Sequence, residues 1–122
     1  MRKKLLFCLL LLSCLPAFSQ TAKIDSLELA VAKLRGKSKV KALNELASLL
    51  SKQDPVAAEV HLKTVLKIAK AISDWQGLAM GYDNFGAILL QKNSYLAALD
   101  AYRQGLEIRQ QIKDIEGLAL SK

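Results

Sequence analysis

The sequence predicts an all-α protein built from antiparallel helix pairs. Within residues 81–106, two apolar faces with the helical period of about 3.6 residues are separated by a tight turn, so the two helices are expected to pack against each other. A shift of 40 residues aligns the two halves of the chain without a gap and pairs Asn44 with Asn84. Repetition of one helix pair is typical of a stack in which neighbouring pairs bury each other's apolar faces.

The first 19 residues are predicted to be a secretory signal peptide. A basic start at residues 2–4 precedes an apolar run at residues 5–12 and a helix-breaking, small-residue exit at residues 16–19. The apolar run is too short to span a bilayer, which takes roughly 20 residues. We therefore expect cleavage after Ser19, a secreted or periplasmic protein that begins at Gln20, and no membrane span in the mature segment.

Residues 11–14 allow a second interpretation of the leader. They resemble a bacterial lipoprotein processing box that ends in Cys14, and a lipidated Cys14 would make the protein an outer-membrane lipoprotein. Both cysteines, Cys8 and Cys14, lie inside the leader. If cleavage follows Ser19, the mature segment has no cysteine and can form no disulfide, thiolate nucleophile or cysteine metal site.

The charge of the mature segment does not indicate nucleic-acid binding. The formal net charge of +7 falls once residues 2–4 are set aside, because 15 basic and 11 acidic residues remain, a charge of +4. One basic cluster alternates along the chain without interleaved aromatic residues. We interpret it as a solvated loop, with a patch for anionic surfaces as the alternative. Its members are Lys33, Arg35, Lys37, Lys39 and Lys41.

An unpaired capping helix is expected in residues 20–36. Its apolar face is formed by Ile24, Leu27 and Val31. Gly36 is expected to end this helix, because glycine adopts the left-handed conformation of a helix C-terminus at little cost. Such a lone helix would cover the N-terminal end of the stack.

Two complete helix pairs follow this capping helix. The 40-residue repeat places them in residues 37–73 and 74–113, and it makes residues 114–122 the opening of a third repeat. The C-terminal face of the second pair would then lie largely uncovered. From this we expect a fragment, a truncated product or a chain completed by a partner, with self-association through the open face as one form of completion.

The starts of these helices are marked by capping residues. Ser38 is expected to cap the first helix of the first pair, and Asp54 followed by Pro55 is a strong start for the second helix. Asp74 and Asp114, which are separated by the repeat length, are expected to cap the first helices of the next two repeats. These aspartates are interpreted as caps and not as an acid and base pair.

Six residues of the helix pair in residues 81–106 have a distinctive spacing: Tyr82, Gly86, Leu89, Tyr95, Ala98 and Tyr102. By this spacing the pair resembles a tetratricopeptide repeat. The resemblance implies a right-handed α-solenoid that serves as a non-enzymatic protein interaction module. Gly105 and Gln110 depart from the family pattern, which has alanine and often proline at these places.

The repeat length of 40 residues carries a narrower resemblance. It exceeds the usual period of about 34 residues and is similar to that of exported sensor regions of bacterial two-component histidine kinases and related regulators. This resemblance implies a fragment of a larger signal-transduction protein. The alternative is a free or lipid-anchored envelope adaptor that scaffolds a complex.

No residue constellation in the sequence indicates catalysis. The single histidine, His61, has no partner on its own helical face, and general base catalysis needs a positioned one. Glycine-rich phosphate loops and metal-ligand spacings are absent from the sequence. We therefore expect neither an enzyme nor a cofactor or metal site.

The candidate site is a groove for a protein or peptide on the concave surface, which the first helices of the pairs line. By the resemblance, Asn44 and Asn84 stand where several peptide-binding family members use asparagine to hold a ligand's main chain. The alternative is that these amides bond neighbouring backbone or each other. One face at helical spacing supplies the whole predicted groove: Val40, Leu43, Asn44, Ala47 and Ser51, then Met80, Asp83, Asn84, Ala87 and Gln91.

Overall fold

The computed structural model describes residues 19–120, with side chains for residues 19–117. This part of the chain folds into five helices and contains no strand, which confirms the all-α prediction. The predicted leader lies outside the described residues except for Ser19, and so does Cys14. The helices are α1 (19–33), α2 (Gly36–Leu50), α3 (Pro55–Ile72), α4 (Trp75–Gln91) and α5 (Tyr95–Leu120).

The junction between α1 and α2 is set by Gly36. Its φ of 64° is the left-handed conformation that glycine was expected to supply. The chain reverses so tightly here that α2 starts at Gly36, with Arg35 in the N-cap position and without a side-chain cap. The expected cap at Ser38 is therefore wrong, because the reversal at Gly36 already places Ser38 inside the helix.

The starts of α3 and α4 follow the predicted capping chemistry. Asp54 accepts a hydrogen bond from the backbone N–H of Ala57 at 3.2 Å, and Pro55 occupies the first turn, where its missing N–H costs nothing. Asp74 accepts from the backbone N–H of Gly77 at 3.1 Å. Both aspartates satisfy donors that a helix leaves free at its N-terminus.

The helices pack as two antiparallel pairs, α2 with α3 and α4 with α5, and the second pair lies against the first. Two buried clusters join the layers. One is centred on Leu46, Leu62 and Ile88, and the other on Val40, Val65 and Leu78. Helices α2, α3 and α4 contribute to both clusters, so one pair cannot separate from the other without exposing core residues. α1 adds Ile24 to the first cluster.

Gly86 marks a close approach of α4 to α5. A Cβ at this position would lie 2.9 Å from Cε2 of Tyr102, a distance that Cβ atoms do not tolerate. Ala98 on α5 is buried in the same pair. The two small residues thus let the helix pair close, as their positions on facing apolar stripes predicted.

The expected turn before Asp114 is absent, because α5 runs without interruption to Leu120. The corresponding turn before α4 is stabilised by burial of Leu78 and Ala79, which follow it. By contrast, residues 113–117 are all exposed. No burial there offsets the loss of helical hydrogen bonds that a turn would require, so the prediction of a helix start at Asp114 is wrong.

Within residues 19–120, no helix is long and apolar enough to cross a membrane.

Candidate functional site

A surface depression of about 340 Å³ lies between the first helices of the two pairs. We call it the α2–α4 trough. The N-terminal half of α2 forms one wall and the first two turns of α4 form the other. It is lined by Lys37, Val40, Lys41, Asn44, Asp74, Gln76, Gly77 and Met80.

A second hollow, of about 280 Å³, adjoins this trough and extends it toward α5. Gln76 and Met80 line both depressions, and Arg109 and Ile112 complete the second. The Arg109 guanidinium pairs with the carboxylate of Asp83 at 2.5 Å. The arginine at this end is therefore already neutralised by a residue of α4.

The floor and the walls of the trough differ in polarity and exposure. Val40 is fully buried in the floor, whereas Met80 is 50% exposed and presents its thioether side chain to solvent. Lys37, Lys41 and Gln76 are exposed along the walls. A ligand in the trough would thus meet the apolar side chain of Met80 beside polar and cationic groups, a combination that is common at protein interfaces.

Asn44 and Asn84 form a hydrogen-bonded link between α2 and α4. The Asn44 amide donates from Nδ2 to the carbonyl of Gly77 at 3.1 Å, and it accepts at Oδ1 from Nδ2 of Asn84 at 3.1 Å. Asn84 Nδ2 also lies 3.4 Å from the Asn44 carbonyl. Asn44 is only 1% exposed. The amides therefore bond backbone and each other, as the alternative interpretation held.

Seven of the ten predicted groove residues do not line the trough; only Val40, Asn44 and Met80 do. Leu43 and Ala47 are buried because the face predicted to bind a ligand is the one on which α4 and α3 pack. Their assignment to the groove was wrong, and the buried Asn44 offers no free amide group to a ligand. Met80 alone among the predicted residues is both exposed and part of the trough.

The remaining predicted residues lie outside the α2–α4 trough. Ser51 donates a hydrogen bond to the carbonyl of Ser48 at 2.9 Å near the end of α2. Ala87 is half-buried and Gln91 is exposed, one and two turns beyond Asp83 on α4. The trough is thus confined to the N-terminal halves of the two first helices.

Sequence reasoning missed three exposed wall residues, Lys37, Lys41 and Gln76. The two lysines were noticed, but as part of a solvated loop, because α2 was expected to start later. Their i, i+4 spacing inside one helix could have placed them on one face. Gln76 carried no signal, since its role depends on how α4 packs on α2.

In the described part of the chain, no group of three or more histidine, cysteine or acidic side chains could hold a metal ion. Glu59, which is close to His61 in sequence, instead pairs with Lys92 at 2.6 Å. The imidazole of His61 thus gains no positioned partner from this carboxylate.

Comparison with protein families gives one match. A family model described as "Tetratricopeptide repeat" matches residues 38–111, which is more than half of the chain and spans the two helix pairs. Searches of curated proteins and of solved structures gave no match. The family match confirms the resemblance that Tyr82, Gly86, Ala98 and Tyr102 indicated.

Proposed function

Since this chain belongs to the tetratricopeptide repeat family, whose repeats mediate protein–protein interaction, we propose that it is a non-enzymatic module that binds a protein or peptide in the α2–α4 trough. The observation that carries the proposal is the half-exposed Met80 between the polar walls of this depression. A methionine side chain adapts its shape to different apolar partners and favours binding surfaces. The amide pair beneath it fixes the two walls relative to each other.

Met80→Arg is expected to weaken peptide binding by about tenfold or more, because a charged side chain would replace the exposed apolar side chain of Met80. The probes are peptides selected from a random library on the full chain, and the measurement is fluorescence anisotropy. Val60→Arg is the matched control, since Val60 is 57% exposed on α3 and lines no part of the trough. If both variants keep their helical circular dichroism and bind the peptide with equal affinity, the trough is not the binding site.

The compartment is part of the proposal. Export to the cell envelope is supported by the basic start, apolar run and small-residue exit of residues 1–19. The alternative is anchoring as an outer-membrane lipoprotein through Cys14. The intact mass of the mature protein separates them, because a start at Gln20 supports a free periplasmic or secreted form and a diacylated Cys14 supports the lipoprotein.

The cellular role we propose is that of the sensory part of a larger signal-transduction protein. Its support is the 40-residue repeat, which resembles that of exported sensor regions. Sequencing of the gene beyond Lys122 tests it. Further repeats followed by a membrane helix and a kinase or DNA-binding domain would support this role, whereas an immediate stop codon would favour a free envelope adaptor.

The outer face of α5 is proposed to bind a second copy of this chain. Leu99, Tyr102 and Leu106 form an apolar line at i, i+3 and i+7, and Leu106 is 64% exposed. Leu62, which occupies the place of Tyr102 in the first pair, is fully buried in the core with α4. The same packing position is thus covered in one repeat and open in the next.

Leu106→Lys is expected to shift the full chain from dimer to monomer in sedimentation equilibrium, because the charge would have to be desolvated in the paired face. Leu29→Lys on α1 serves as control, since Leu29 is also exposed but lies at the other end of the stack. A natural chain that is monomeric at every concentration, or a Leu106→Lys variant that still dimerises, would contradict self-association through this face.

A further inference from the structure

A cluster of cations surrounds the junction between α1 and α2. Five of the nine residues 33–41 are basic, and no acidic residue occurs between Glu28 and Glu45. Glu45 is itself paired with Lys23 at 3.3 Å. In the part of the chain with described side chains, none of the five cations forms an ion pair. We call them the basic corner: Lys33, Arg35, Lys37, Lys39 and Lys41.

The fold holds this corner in place. Only two residues separate α1 from α2, and the chain reverses at Gly36, where φ is 64°. The cations Lys37, Lys39 and Lys41 therefore lie in the first two turns of a helix and not in a loop. Val40, in the midst of them, is fully buried in the core. The backbone of the basic corner is thus fixed to the core of the first helix pair.

The charges of the basic corner do not stabilise the helix on which they lie. Whereas Asp54 and Asp74 cap α3 and α4, α2 has no side-chain cap and no acidic residue in its first turn. The helix dipole disfavours cations at this end, where Arg35 is the N-cap. Like charges four apart, such as Lys37 and Lys41, also repel each other. The cluster is therefore unfavourable in the free chain, and an anionic partner would offset this repulsion.

An exposed apolar side chain lies beside these cations. Leu29 is 74% exposed and precedes Lys33 by four residues on α1, so the two side chains share one face. Residues 24–46 contain no aromatic side chain on which a nucleic-acid base could stack. Cations that reach phosphate headgroups beside an apolar side chain that reaches the acyl boundary are typical of proteins that bind a bilayer surface.

We propose that the basic corner, together with Leu29, binds the surface of an anionic lipid bilayer. The inference rests on the proposed export to the cell envelope, which would bring this corner to a membrane. It does not rest on peptide binding, since Lys33, Arg35 and Lys39 do not line the α2–α4 trough. Each cation near an anionic bilayer strengthens binding about fivefold. In the lipoprotein alternative, the corner would add a second attachment to a lipidated Cys14.

The test is co-sedimentation of the full chain with lipid vesicles. The natural chain is expected to bind vesicles of phosphatidylcholine mixed with phosphatidylglycerol more tightly than vesicles of phosphatidylcholine alone, and added salt should weaken this binding. The double variant Lys33→Glu with Arg35→Glu should bind the anionic vesicles at least about twentyfold more weakly. Leu29→Ser should weaken binding about tenfold. The apolar run of residues 5–12 is the same in every variant, so the differences report the basic corner.

The matched control is the double variant Lys63→Glu with Lys67→Glu. These lysines are also exposed, but they lie on α3 and not at the junction of α1 and α2. Both double variants have the same net charge, so a difference between them reports position. Equal loss of vesicle binding in both would overturn the inference. The melting temperature of Lys33→Glu with Arg35→Glu should not fall, because acidic side chains are favourable near the start of α2.

Further outcomes separate this inference from the proposed function. Met80→Arg should lose peptide binding without weakening vesicle binding, which would support two separate surfaces. If the natural chain binds no vesicles, or binds both kinds equally, the inference is overturned and the trough stands. If single-stranded DNA binds more tightly than the anionic vesicles and depends on Lys33 and Arg35, a nucleic acid replaces the lipid surface as the partner of the basic corner.

Discussion

Gly77→Ala is expected to lower the free energy of unfolding by about 2 kcal/mol, because it overpacks the contact between α4 and α2. A Cβ at Gly77 would lie 2.5 Å from Cγ1 of Val40 and would also press on the carboxylate of Asp74. Val40 is fully buried and cannot move aside without disturbing the core. Urea unfolding followed by circular dichroism measures the loss.

The repeat supplies the matched control for this substitution. Gly117 stands one repeat length after Gly77, in the exposed part of α5, and a Cβ there would have nothing within 4 Å. Gly117→Ala is therefore expected to raise the free energy of unfolding by up to about 1 kcal/mol, through helix propensity alone. If Gly77→Ala and Gly117→Ala changed the free energy of unfolding in the same direction, the close approach of α4 to Val40 would be contradicted.

Asn44→Ala is expected to cost about 2 kcal/mol of stability. The substitution removes the amide that donates to the Gly77 carbonyl and the Oδ1 that accepts from Asn84, in a place that is almost fully buried. Each of the two lost hydrogen bonds contributes about 0.5–1.5 kcal/mol. Thermal melting of the Asn44→Ala and Asn84→Ala variants measures both losses of stability. The loss should be smaller for Asn84→Ala, because Asn84 is only half-buried.

The double variant distinguishes a structural link from two separate ligand contacts. Because Asn44 and Asn84 share a hydrogen bond, the cost of changing both should be smaller than the sum of the single costs. Additive costs would contradict the link between α2 and α4. Unchanged stability with lost peptide binding would instead restore the ligand-binding role that the family resemblance implied.

The helices and most of their starts could be predicted from sequence because the signals are local. Asp54 and Asp74 cap their own helices, and Gly36 adopts the left-handed conformation within its own turn. The packing of α4 on α5 was also predictable, since Gly86 and Ala98 are small residues on facing stripes. Such features depend on chain neighbours or on one adjacent helix.

The features that sequence missed depend on contacts between repeats. Spacing placed Leu43 and Ala47 on one face of α2, but it could not tell whether that face would meet a ligand or the next helix pair. The packing of α4 and α3 buries both. The prediction of a cap at Asp114 was wrong because burial does not repeat with the sequence. The sequence around Asp114 repeats that around Asp74, but the residues next to Asp114 are exposed.

The central claim is that this chain binds a protein or peptide segment in the α2–α4 trough. Backbone amide NMR of the full chain, titrated with a peptide selected on it from a random library, tests this claim most directly. The account predicts that the largest shift changes cluster at Lys37, Lys41, Gln76 and Met80. Shift changes confined to the outer face of α5, around Leu99 and Leu106, would contradict it.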